Sequence, residues 1–199
     1  MSTHQLQPHT YYHLYNRAHG NEQLFKEQEN YRFFLSRWAK YVEPIASTYA
    51  YCLMPNHIHF LIRTRDEEQL LAFFKRENHL LSKAMSQQLG NLFNSYTKAF
   101  NKRYDRMGSL WMRPFKAKEI DSEEYLRNVI FYIHHNPIHH GFRQRIEDWP
   151  HSSFQALITK GKTKVMREAV HRCYGSKAEL RRFHEQVIGP LRPLEDELT

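Results

Sequence analysis

The apolar positions of this chain change their period several times, and each change marks an element. Tyr11 to Arg17 is rich in aromatic residues and reads as a first strand, stopped by His19-Gly20-Asn21. Phe33, Phe34, Trp38, Tyr41 and Val42 then recur at helical spacing within 27–42, and Pro44 ends that helix. Ile45 to Leu53 reads as strand two, Met54-Pro55-Asn56 as a turn, and His57 to Thr64 as strand three. In that third strand Ile58, Phe60 and Ile62 point one way, with His57, His59, Leu61 and Arg63 pointing the other. From 67 to 104 the pattern is helical, in two pieces broken near Gly90, the second carrying Leu89, Leu92, Phe93, Tyr96, Phe100 and Tyr104 as its apolar stripe. Ser109 to Ile120 reads as a fourth strand. A helix over 122–135 follows, with Asp121 or Ser122 as N-cap and Glu123 and Glu124 in a first turn where the helix dipole favours negative charge. The order β-α-β-β-α-α-β-α defines an α+β fold, an antiparallel sheet flanked by helices. Residues 1–155 form the main domain, and 156–199 form a C-terminal helical extension and tail, in which Pro190 and Pro193 interrupt the pattern before an acidic end.

Composition narrows the partners. With 199 residues, 41% of them hydrophobic, the chain can bury a real core. Its formal charge of +8 produces a field that attracts polyanions, and nucleic acid is the commonest of these. No stretch reaches the roughly 20 apolar residues of a membrane span, and residues 1–9 lack a signal-peptide core, so the expected location is cytoplasmic and nucleoid-associated, with no membrane partner. Cys52 and Cys173 stand far apart in no metal-ligand spacing, which fits reduced thiols.

Two short motifs carry candidate chemistry. His57-Ile58-His59 on a strand presents two imidazoles to one side, an arrangement that suits a divalent ion. Fourteen histidines produce about one such triplet by accident, so two solvated histidines on an open sheet face fit the residues equally well. Tyr132 and Asn136 lie four apart on a helix and share a stripe with Tyr125 and Val129, while Leu126, Ile130 and Ile133 form the core stripe. Tyr132 is thereby expected at the edge of the packed face, with the last turn loosened because Asn136 precedes Pro137. An amphipathic core tyrosine satisfies the same pattern. Arg113, Lys116, Lys118 and Arg127 crowd one strand and one helix, as a solvated charged face or as a surface for a phosphate backbone.

Taken together, three segments carry a resemblance. Residues 51–62 read Tyr-Cys-Leu-Met-Pro-Asn-His-Ile-His-Phe-Leu-Ile; Gly108-Ser109-Leu110-Trp111 leads to Phe115; and residues 132–141 read Tyr-Ile-His-His-Asn-Pro-Ile-His-His-Gly. This resembles the single-tyrosine HUH transposases, and within them the REP-associated tyrosine transposase branch, which Asn16-Arg17 and the segment from Trp149 to Phe154 also match. The resemblance spans residues 11–155. It implies a ferredoxin-like, RRM-like core, with His57, His59 and Asn136 as ligands of a divalent ion, Mg or Mn, and Tyr132 as the nucleophile. Asn136 stands where related insertion-sequence enzymes use glutamine, an amide on an arm one methylene longer. The implied partner is single-stranded or hairpin DNA, held by Asn16, Arg17, Arg63, Arg113, Lys116, Lys118 and Arg127.

The implied reaction is metal-dependent cleavage and rejoining of single-stranded DNA through a 5′-phosphotyrosine. His134 and His135 are candidate bases beside the nucleophile. A hairpin-binding regulator of the same fold without catalysis, and a phosphohydrolase in which the ion activates water, are the rival readings. Monomer and homodimer both stay open.

Overall fold

The computed structural model describes residues 5–112 and 114–185. Strands β1 (Tyr11–Arg17), β2 (Ala46–Leu53), β3 (His57–Thr64) and β4 (Lys116–Ile120) form one sheet in the order β2-β3-β1-β4, every pair antiparallel. With α1 (Gln28–Tyr41) between β1 and β2, this is the split β-α-β arrangement of ferredoxin-like folds. The helices are α2 (Glu67–Phe74), α3 (Leu81–Arg103), α4 (Glu123–His139), α5 (Phe154–Ile158), α6 (Arg167–Tyr174) and α7 (Lys177–Glu185).

Alternation along the strands sorts the core into two layers. Tyr12, Leu14, Ile58, Phe60 and Ile62 lie under α1 and α3, where Trp38 stacks on Phe60 at 3.5 Å between ring centres and gives its indole N–H to Thr48 Oγ1. Cys52, Leu61 and Ile120 face the other way, against Val129, Ile130 and Ile133 of α4 and Val170 and Leu180 of the C-terminal helices. A bulge between Thr48 and Ala50 turns β2 so that Thr48 serves the first layer and Ala50 the second. The outer edge of β2 is covered: Ser152 bridges Cys52, Val165 bridges Thr48, and the Leu53 N–H donates to the His151 carbonyl.

Three boundaries differ from the sequence expectation. The helical break lies not at Gly90 but at Lys75, which adopts a left-handed conformation (φ 52°) and caps α2. Across Lys75 to Asn78 the apolar stripe lapses. It then runs unbroken from Leu81 through Met85, Leu89, Leu92 and Tyr96 to Phe100, and this burial outweighs the roughly 1 kcal/mol that a helical glycine costs. The fourth strand begins at Lys116 rather than Ser109. Upstream of it Leu110 and Trp111 are drawn into the α1/α3 layer, with Trp111 making an isolated bridge to Ala18 just past β1 and the Met112 N–H donating to the Arg17 carbonyl. Helix α4 continues past its expected end to His139, through Pro137. Pro137 brings no N–H to the turn before it, while its own carbonyl accepts from the N–H groups of Phe142 and Arg143 and so caps the exit of the helix.

Candidate active site

The second face of the sheet carries an unusual run of polar aromatic rings. Register places Arg17 opposite His57, Tyr15 opposite His59 and Lys116, and His13 opposite Leu61 and Lys118, so all of these side chains share one face. That face is covered by α4, which excludes the open-face reading of the histidine pair. Tyr132, only 7% exposed, stands edge-on to His59 (ring centres 5.4 Å, 87°) and to His13 (5.9 Å, 77°). It therefore sits deeper than the edge position its stripe predicted.

His57 and Asn136 meet across the sheet–helix interface, with Nε2 and Oδ1 3.2 Å apart. The Asn136 amide is oriented by its Nδ2, which donates to the Tyr132 carbonyl (3.0 Å). On the other side of the ring, His57 Nδ1 lies 2.8 Å from Asn56 Oδ1. A neutral imidazole has one N–H, so one of these two contacts with an amide oxygen is between lone pairs. Burial, and then the neighbouring His140, push the His57 pKa down to about 4, so the ring is neutral at pH 7. His59 is held well below the usual histidine range by burial first and by His13 next. Its Nε2 is buried with no hydrogen-bond partner, while its Nδ1 lies 3.0 Å from His13 Nε2.

These features fit a divalent cation. An ion beside His57 and Asn136 would resolve the lone-pair contact. Their 3.2 Å separation is close to the roughly 3 Å between adjacent donors on an octahedral Mg ion with bonds of about 2.1 Å. His59 Nε2 is an unused, neutral nitrogen donor in the same cluster. No group of three His, Cys, Asp or Glu suited to a metal exists among the described residues, so two imidazoles and an amide are the donor set available.

The basic residues divide. Arg17 and Lys118 are exposed, and Lys116 lies over the Tyr15 ring at 5.9 Å, all on the histidine face. Arg17 also lines a cleft of about 520 Å³ together with Asn21, Gln23, Asn56, His57, His140 and Phe142, so His57 has an approach from outside. Asn16 projects to the opposite face, 5% exposed, its Oδ1 accepting from the Arg17 N–H. Arg63 packs over Tyr11 at the far end of β3, and Arg127 gives a hydrogen bond to the Cys173 carbonyl beneath the C-terminal helices. Neither is brought to the histidines. Arg113 lies outside the described residues.

His134 and His135 do not face the tyrosine ring. His134 is enclosed between Ser153 and His184, and His135 stacks on Phe131 at 3.7 Å. At helical spacing they fall about 200° and 300° around from Tyr132, which sequence adjacency conceals. Sequence reasoning missed His13 and His140. Strand alternation gives His13 a face, but only the β3-β1 pairing tells which ring it meets.

Buried imidazoles, a phenol and a short amide arm thus meet on one face of a ferredoxin-like sheet. The family described as IS200-like transposases matches residues 7–136, about two thirds of the chain, and the chain belongs to that family. Over 107 residues it is 31% identical to a Haemophilus influenzae protein that carries the name REP-associated tyrosine transposase; this spans 54% of the chain and 58% of the relative, under two thirds of its length. The fold is similar to that of a REP-associated tyrosine transposase solved with a bound REP hairpin, with a TM-score of 0.60, 17% identity, and coverage of 81% of this chain and 87% of that one.

Proposed function

We propose that the protein cuts and rejoins single-stranded DNA at hairpin-flanked sites, with Tyr132 as nucleophile and with His57, His59 and Asn136 as the ligands of Mg or Mn. The observation that carries this reading is the meeting of the Tyr132 ring, the His59 ring and the His57–Asn136 pair in one chain. When bound, the ion would polarise a non-bridging oxygen of the scissile phosphate and offset charge in the transition state.

The remaining steps belong to the chain's own groups. Tyr132 Oη forms a bond to phosphorus as the P–O3′ bond breaks, giving a 5′-phosphotyrosine and a 3′ oxygen that takes up a proton. The phenol loses its proton in the same step, so no net proton or external energy is required. Attack by another 3′-OH reverses the sequence and joins strands. Arg17, Lys116 and Lys118 stand on the histidine face, where cations hold backbone phosphates without reading bases. Asn136 sits four residues from Tyr132 on α4, so one rigid helix sets the spacing of nucleophile and ligand.

Incubation with a labelled single-stranded hairpin and Mn, followed by a denaturing gel and peptide mapping, tests the reading. The expected result is a covalent adduct on Tyr132, absent in Tyr132→Phe while hairpin affinity is retained. Hairpin binding by the wild type with no adduct would instead assign the chain to the non-catalytic regulators, and an adduct persisting in Tyr132→Phe would move the nucleophile elsewhere.

A further inference from the structure

We propose that His13 is the positioning residue for His59, accepting its Nδ1–H and so keeping the lone pair of His59 Nε2 free for the ion. The inference rests on the assignment of His59 as a ligand and extends it to a residue that the motif does not contain. His13 and His59 are each 1% exposed, their facing nitrogens are 3.0 Å apart, and their rings stack at 5.1 Å and 23°. Only one proton can lie between those two nitrogens, and its position decides what His59 can do.

Two arrangements exist. With the proton on His13 Nε2, a neutral His59 carries its own proton on Nε2, which then points an N–H into a buried site with no acceptor and cannot bind an ion. With the proton on His59 Nδ1, His59 Nε2 presents the lone pair that a metal ligand requires and the buried N–H passes to His13 Nδ1, so desolvation does not choose between the two and the choice rests on what an ion at His59 Nε2 needs. Free neutral histidine prefers the proton on Nε2, so the ligand form needs a partner that accepts at Nδ1. His13 is placed to do this by β1: Tyr15 pairs with His59, and His13 is its next neighbour on the same face. As an acceptor it is also uncharged. A carboxylate in the same place would have to be buried as an anion beside Tyr132 and the imidazoles. His57 has the corresponding contact from Asn56, so each imidazole of the pair has its Nδ1 engaged by a different residue.

The test reads the proton directly. Long-range ¹H–¹⁵N correlation spectra of the metal-free wild-type protein are expected to show His59 protonated at Nδ1. In His13→Leu the proton moves to Nε2, and Mn affinity measured by electron paramagnetic resonance falls about 10–100-fold. His13→Gln, whose side-chain oxygen can occupy the position of the ring Nε2, restores most of that affinity. A wild type that binds Mn while His59 is protonated at Nε2 overturns this inference alone, as does a folded His13→Leu that binds Mn as tightly as wild type. A wild type that binds no Mn overturns the ligand assignment and this inference together. If His13→Leu fails to fold, the wild-type spectrum still decides.

Discussion

The histidines of this chain are informative because their surroundings make them so. Fourteen of them confer little meaning on any one triplet, yet His57 and His59 are neutral, buried and offered to the same helix. Removing either alters the proposed ion site and leaves the basic residues of the same sheet face in place. His57→Ala and His59→Ala should each abolish adduct formation, as should EDTA, with hairpin affinity little changed because Arg17, Lys116 and Lys118 remain. Cleavage by chelator-stripped protein would take the ion out of the reaction. At this scale strand and helix periods assign faces to the histidine pair, Tyr132 and Asn136, the family resemblance alone implies their roles, and the depth of Tyr132 was not legible from its stripe. It did not display His13, whose role depends on which strand lies next to β1. Nor did it show that Asn16 turns away from the site while its neighbour Arg17 turns toward it, because that requires knowing which side of β1 the histidines occupy.

Among the elements, β1 and β3 ran over the residues that alternation and turns delimit, because their two faces bury against different layers. The departures came where a residue's local preference was outvoted by packing. Gly90 is the clearest: its backbone is helical, and a methyl group added there would meet only the flexible end of Gln87, at 3.9 Å. Gly90→Ala should therefore stabilise the protein by about 0.5–1 kcal/mol, a rise of roughly 1–4 °C in Tm for a domain of this size. A fall in Tm by calorimetry would mean that α3 needs the glycine for a close contact the structure does not contain. The early end assigned to α4 has the same origin, since Pro137 loses one hydrogen bond but is buried beside Asn136.

Across the whole molecule, the C-terminal helices are tied to α4 by a directional chain of hydrogen bonds. His184 Nδ1–H donates to the Leu180 carbonyl, so its Nε2 accepts from His134 Nδ1–H, and His134 Nε2 accepts from Ser153 Oγ. Ser153 Oγ in turn accepts from the Tyr51 N–H of β2. The chain runs in this direction only while both imidazoles are neutral, and burial lowers the His184 pKa to about 4. The unfolded chain, with an ordinary histidine value near 6.5, takes up the proton that the folded one refuses. Stability is thus complete above about pH 6.5 and falls with pH between there and about 4, on the order of 3 kcal/mol from His184 alone. Urea midpoints measured at pH 7 and pH 5 should show the loss; equal midpoints would mean that these rings are already charged in the fold.

The cover on β2 also limits how copies of the molecule can associate. With Ser152 and Val165 laid along that margin, a second chain cannot extend the sheet there without displacing them. The other margin of the sheet is β4, where Lys116 and Lys118 lie on one face and Glu119 on the other. Growth of the sheet into an endless filament needs two open margins, and the β2 side is barred.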